Sequence, residues 1–157
     1  MSKDFTGKHI LIVEDEEALR LDLVDLLQGE GYDVLDRGDG GEAIAAIELF
    51  RPRLVVCDVQ LPSLGGIGIL KAVRSSRIAS PIMIMMTAYG DHETIETLRS
   101  LGAKECLIKP VSFDELLAAV ERSLSGVETD VTGQSAVDVR PAPAVPVLPA
   151  PDRKSVV

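Results

Sequence analysis

Apolar and polar positions along the chain fall into alternating blocks of two periods. HILIV (9–13), LVVCD (54–58), IMIMMT (82–87) and CLIK (106–109) are short apolar runs and read as buried strands, and DVLDR (33–37) reads as a short strand. The segments between them carry a helical period. Leu19, Leu23, Leu26 and Leu27 fall at i, i+4, i+7 and i+8, one face of a helix that opens at Glu14-Asp15 and runs to about Gln28. Gly29 and Gly31 end it. Helices are expected over Gly41 to Phe50, with Ala43, Ile44 and Ile47 inward, and over Ile67 to Ser76 and His92 to Leu101. A last helix is expected over Phe113 to Ser125, with Leu116, Leu117 and Val120 inward. Strands apolar on both sides, separated by helices, indicate a parallel sheet covered on both faces. Five such units make an open, doubly wound α/β domain.

One position breaks the pattern. The run Leu54 to Cys57 leads straight into Asp58, and a carboxylate there is costly unless it is paired, bound to a cation or placed at a cleft. Pro62 and the pair Gly65-Gly66 then mark a loop. Open α/β sheets bind ligands outside the carboxyl ends of their strands. The first strand ends in Glu14-Asp15, the third in Asp58, the fourth in Thr87 and the fifth in Lys109. Each has a plain reading in isolation. Asp58 reads as a helix cap, Glu14 and Asp15 as first-turn acids, Thr87 as an ordinary strand residue and Lys109 as a solvated cation. Their convergence on one sheet edge favours a shared site.

The chemistry follows from the set. Three carboxylates in one cleft repel one another and call for a cation. Oxygen donors without His or thiolate select a hard ion, and Mg²⁺ suits a site of few carboxylates that works with phosphate. A carboxylate also serves as a nucleophile toward a phosphoryl group. Lys109 then pairs with one phosphate oxygen as a point charge, and Thr87 donates to another.

Composition narrows the partners. Net charge is −9 over 157 residues, and residues 1–125 hold 21 acids against 13 bases, which opposes nucleic-acid binding through bulk charge. MSKDFTGKH lacks the apolar core of a signal peptide, and no apolar run reaches the roughly 20 residues of a membrane span, so a cytoplasmic protein with no membrane contact is expected. Cys57 and Cys106 both lie in apolar runs and read as buried, reduced thiols. From Gly126 onward the composition changes, and five of the nine prolines fall there. Residues 126–157 are expected to form a Pro-rich tail apart from a domain of 1–125, either a disordered end or a ligand for a partner's groove.

"ILIVEDEEALR", "LVVCDVQLPSLGG", "IMMTAYGD" and "CLIKPVSFDEL" together resemble the response-regulator receiver domains of two-component systems, over roughly residues 7–125. The resemblance implies a flavodoxin-like fold, five parallel strands in the order 2-1-3-4-5. It implies that Asp58 accepts a phosphoryl group from a histidine kinase or histidine phosphotransferase. It implies Mg²⁺ on Glu14, Asp15, Asp58 and the backbone carbonyl of Gln60. Thr87 and Lys109 are implied to sense the phosphate, and Lys109-Pro110 to be a cis bond, the bond type where cis is cheap. Such a protein is a phosphoacceptor rather than an enzyme, acting only in its own phosphotransfer and autodephosphorylation.

Two departures stand out. The family usually has Tyr or Phe three residues before the Lys, and this chain has Cys106. The aromatic switch coupled to Thr87 is therefore missing, and either Tyr89, beside Ala88 in the loop after the fourth strand, takes part of that role or output uses another surface. Second, no helix-turn-helix pattern or basic face is visible, so a stand-alone receiver signalling to a downstream protein target, as a monomer or weak dimer, is expected. Leu21 and Val24 lie outside the inward set of the first helix and are candidates for docking the histidine donor. The alternatives are a phosphate sink or shuttle without its own output and, more remotely, an aspartyl-phosphate phosphatase. The phosphatase pattern places a second Asp two residues after the first, where this chain has Gln60.

Overall fold

The computed structural model describes residues 9–76 and 81–133. Among the described residues ten elements alternate: β1 (His9–Val13), α1 (Glu17–Gly29), β2 (Asp33–Arg37), α2 (Gly40–Phe50), β3 (Leu54–Asp58), α3 (Gly66–Ser75), β4 (Ile82–Thr87), α4 (His92–Ser100), β5 (Glu105–Ile108) and α5 (Phe113–Gly133). The five strands pair in parallel in the order β2-β1-β3-β4-β5. The expected class and order both hold.

Parallel strands cannot be joined by tight turns, so each crossover needs a helix, and the helices cover the sheet faces. Every residue of β3 is buried, whereas β2, an edge strand, is half-buried throughout. Leu11, Val13, Val55, Cys57, Met83 and Met85 share one core cluster with Ala43, Ala46 and Ile47 of α2 and Ile69, Leu70 and Val73 of α3. Ile10, Ile12, Leu54, Val56, Ile84 and Met86 alternate with these residues and are buried too, as are Leu23 and Leu27 of α1 and Leu116, Ala119 and Val120 of α5.

Several boundaries differ from expectation. α1 begins at Glu17, not at Glu14-Asp15. The N–H of Glu14 still donates to the Arg37 carbonyl at 3.1 Å, so ladder pairing carries the chain past β1 before it turns. β5 starts and stops one residue early, and Lys109 lies just beyond it, its N–H bonded to the Thr87 carbonyl at 2.8 Å. α2 and α3 each begin one residue earlier than expected, and α4 stops one residue short. α5 passes Ser125 and continues to Gly133, because one glycine at 126 lowers helix propensity without breaking the helix. The expected tail therefore overlaps the end of this helix, and its Pro-rich part, 134–157, lies outside the described residues.

The inward sets hold in outline. Leu23 and Leu27 are buried, while Leu19 and Leu26 flank them half-buried. Ala43 and Ile47 are buried and Ile44 is half-buried. Leu116 and Val120 are buried and Leu117 is half-buried. Cys106 corrects an expectation: it is half-buried, since β5 is an edge strand. Both cysteines are free thiols. Among the described residues no helix is long and apolar enough to cross a membrane.

Candidate functional site

β1 and β3 are adjacent, with Val13 opposite Cys57, so their carboxyl ends deliver Glu14 and Asp58 side by side. Both carboxyl groups are buried, Glu14 to 1% and Asp58 to 3% exposure. Asp15 follows in the loop and is exposed. One carboxylate oxygen from each of Glu14, Asp15 and Asp58 falls within 4.8 Å of the others. Such a cluster has to be neutralised.

Lys109 supplies part of that charge. Its Nζ donates to Asp58 Oδ2 at 2.9 Å and to Glu14 Oε1 at 3.2 Å. Burial disfavours its ammonium, yet the bond to Asp58 and the charges of Glu14 and Asp58 outweigh it, and its pKa rises. Glu14 moves the same way for the opposite reason. Burial pushes its carboxyl up; the Glu16 N–H bond opposes this, and the Asp58 charge adds to it. Three acids against one ammonium leave a local charge of about −2 when all are ionised, which a divalent cation would balance. The donor set is oxygen only, and one of its members is open to solvent. These residues fit Mg²⁺ with retained waters.

The loop after β3 is tied to the same carboxylate. The Gln60 N–H donates to Asp58 Oδ1 at 3.0 Å, so the Gln60 amide, not its carbonyl, makes the contact with this carboxylate. Gly66 opens α3 directly beneath. A Cβ there would lie 2.7 Å from the Asp58 carbonyl oxygen and 2.7 Å from Val59 Cα. The absence of a side chain lets α3 start against the backbone of Asp58. The sequence marked Gly65-Gly66 only as a loop, and this close approach was not legible in it.

Thr87 ends β4 and is fully buried. Its Oγ1 accepts from the Tyr89 N–H at 3.0 Å and donates to the Tyr89 carbonyl at 3.4 Å. The hydroxyl is thus engaged with its own loop, where Ala88 and Tyr89 are exposed, Tyr89 to 57%. Lys109-Pro110 is cis. Cys57 donates its thiol to the Asp58 carbonyl at 3.3 Å, and burial with the nearby acids raises its pKa far above neutral, leaving it an inert part of the core. On α1, Leu21 is 47% exposed and Val24 is half-buried at the edge of the same face.

Sequence reasoning missed Arg20. Its Nε donates to Asp36 Oδ2 and its Nη1 to the Glu14 carbonyl, both at 2.9 Å. The signal available was an arginine one turn into the helix that follows the acidic pair, which also fits a solvated residue.

Comparison with known proteins agrees with this geometry. Residues 10–121 match the family described as the response regulator receiver domain. The transcriptional regulatory protein PdtaR of Mycobacterium tuberculosis is 40% identical over 119 residues, 75% of this chain and 57% of that protein. The chain thus spans a little over half the length of this relative. Sporulation initiation phosphotransferase F of Bacillus subtilis is 37% identical over 119 residues, 75% of this chain and 94% of that protein. The solved receiver domain protein (CheY-like) from Methanospirillum hungatei superposes with a TM-score of 0.72 at 31% identity, covering 78% of this chain and 98% of that one. A five-stranded sheet in this order, an acidic trio at its carboxyl edge and a family match across most of the chain lead to one conclusion: the protein belongs to the response regulator receiver family of two-component systems.

Proposed function

We propose that Asp58 accepts a phosphoryl group from a histidine kinase or histidine phosphotransferase, and that the phosphorylated domain signals through protein contacts. The observation that carries this is a buried aspartate at a strand end, held by Lys109 at 2.9 Å and Gln60 N–H at 3.0 Å beside two further acids. In the transfer an Asp58 oxygen bonds to phosphorus as the bond from phosphorus to the histidine nitrogen breaks. The bonding pair leaves with the imidazole, which takes up a proton. Glu14, Asp15, Asp58 and the Gln60 carbonyl would hold Mg²⁺, which when bound would supply positive charge to the oxygens of the transferring group. Lys109 leaves its ion pairs to bind a phosphate oxygen, and Thr87 turns its hydroxyl from the Tyr89 backbone to another. That turn moves Ala88 and Tyr89, and the change in this loop is the output, next to Cys106 where an aromatic switch residue would otherwise stand. Hydrolysis of the acyl phosphate within the same site resets the domain.

Leu21 and Val24 form the docking contact for the donor, one helical turn apart on α1 beside the site. Residues 1–125 are read as the receiver, with the Pro-rich segment beyond it separate. A second reading, a phosphate shuttle without its own output, is favoured by the match to a phosphotransferase over 94% of that protein's length. The deciding experiment is labelling by acetyl phosphate with Mg²⁺. Asp58→Asn keeps the shape but removes the nucleophile, so labelling should vanish, and EDTA should stop it in the wild type. Undiminished labelling of Asp58→Asn would place the acceptor elsewhere.

A further inference from the structure

We infer that Arg20 is a positioning residue for the cation site, fixing the peptide between Glu14 and Asp15 so that both carboxylates converge. The inference rests on the Mg²⁺ reading of the acidic cleft. Arg20 lies in the first turns of α1, its side chain only 18% exposed. It spans two elements. Its Nε is bonded to Asp36 Oδ2 on β2, and its Nη1 to the carbonyl oxygen of Glu14 at the end of β1. That carbonyl belongs to the peptide plane leading into Asp15. Its orientation decides where Asp15 projects.

Neighbouring contacts fix the same residue from other sides. The Glu14 N–H donates to the Arg37 carbonyl at 3.1 Å, and Glu14 Oε2 accepts from the Glu16 N–H at 3.1 Å. Arg20 supplies the hold on the remaining backbone group. Space for it comes from Gly38, where a Cβ would lie 2.7 Å from Nη1 and 3.6 Å from the Glu14 carbonyl oxygen. Partners that orient metal ligands commonly change affinity 10- to 100-fold when removed.

Charge and geometry predict opposite signs here, which makes the inference testable. Arg20 is a cation near a cation site. By Coulomb's law alone its removal tightens Mg²⁺ binding. By positioning, its removal weakens binding.

Mg²⁺ affinity of the full chain should be measured by isothermal titration calorimetry, with melting temperature followed by circular dichroism. Arg20→Met is expected to weaken Mg²⁺ binding about tenfold. Arg20→Lys is expected to weaken it nearly as much, because an ammonium is a point charge and does not reproduce the planar fork that meets both acceptors. Gly38→Ala retains every charge and crowds Nη1, and a smaller weakening is expected. The acetyl phosphate labelling rate of each variant should recover toward the wild-type rate at saturating Mg²⁺. Unchanged or tighter binding in Arg20→Met overturns the inference, and so does full rescue by Arg20→Lys. A labelling loss that persists at saturating Mg²⁺ also overturns it, since Arg20 would then be holding up the fold. If Arg20→Met does not fold, Arg20→Lys and Gly38→Ala decide the matter. A wild type that binds no Mg²⁺ defeats the reading beneath the inference, a result distinct from wild-type binding that the variants leave unaltered.

Discussion

The middle of the sheet and its carboxyl edge are one residue apart, and they obey opposite rules. In β3 the side chains of Leu54, Val55, Val56 and Cys57 are wholly buried among apolar neighbours. Burying each of the larger ones favours folding by about 1.5–3 kcal/mol. Asp58 is buried nearly as well and works the other way: its charge is kept out of water and needs Lys109 and Gln60 N–H to hold it. Glu14 stands in the same relation to Val13. The difference shows how one strand can supply both a stable core and a buried charge at its end. The apolar residues hold the frame rigid, and that rigidity keeps acids together that would otherwise separate.

The largest effect that sharpens this contrast comes from exchanging the two regions. Asp58→Asn should abolish acetyl phosphate labelling while the melting temperature stays within a few degrees of wild type. Leu54→Ala should do the reverse, costing about 2–5 kcal/mol on unfolding by urea while folded protein still labels. Loss of labelling in folded Leu54→Ala, at a rate matching Asp58→Asn, would show that the two regions are not separable.

Gly66→Ala tests the seam between them. The added methyl presses on the Asp58 carbonyl, and displacement of that backbone should cost about 1–3 kcal/mol and slow labelling as well. A variant with altered stability and an unaltered labelling rate would mean that α3 yields instead of Asp58.

Glu14→Gln gives a smaller effect whose sign follows from its raised pKa. The fold disfavours ionised Glu14, so its charge weakens the native state above the raised value. The penalty shrinks as pH falls through that value and is gone below the ordinary Glu range, near 4.5. In metal-free buffer the variant should therefore melt above wild type at neutral pH, with the gap closing toward pH 4. A variant that melts below wild type at pH 7 would show that the Lys109 ion pair outweighs burial.

The smallest effect on the isolated protein is expected on the outer face of α1. Leu21→Glu with Val24→Glu should leave stability and acetyl phosphate labelling near wild type. It should slow transfer from a histidine donor, because new charges must be desolvated on docking. Equal slowing with both donors would trace the defect to the site, and equal retention would move docking to another face.

The sequence by itself determined the elements and singled out the candidate groups at the strand ends. Strand and helix periods are local, and an acid ending an apolar run is legible because its cost is local too. Glu14, Asp15, Asp58, Thr87 and Lys109 stand out as candidates in this way, since a parallel sheet brings all strand ends to one edge, and the structure brings the three acids and Lys109 together. The apolar run around Cys106 reads as buried, but burial depends on what packs over an edge strand, and Cys106 is only half-buried. The start of α1 was misread because strand pairing, a non-local contact, extends past β1. Arg20, Asp36 and Gly38 show the same limit. Each is ordinary in its own segment, and only the crossing of α1 over β1 and β2 places a guanidinium between a carboxylate and the Glu14 carbonyl. Hydrogen bonds between segments depend on distances of a few tenths of an ångström, and those are decided only when the whole sheet has packed.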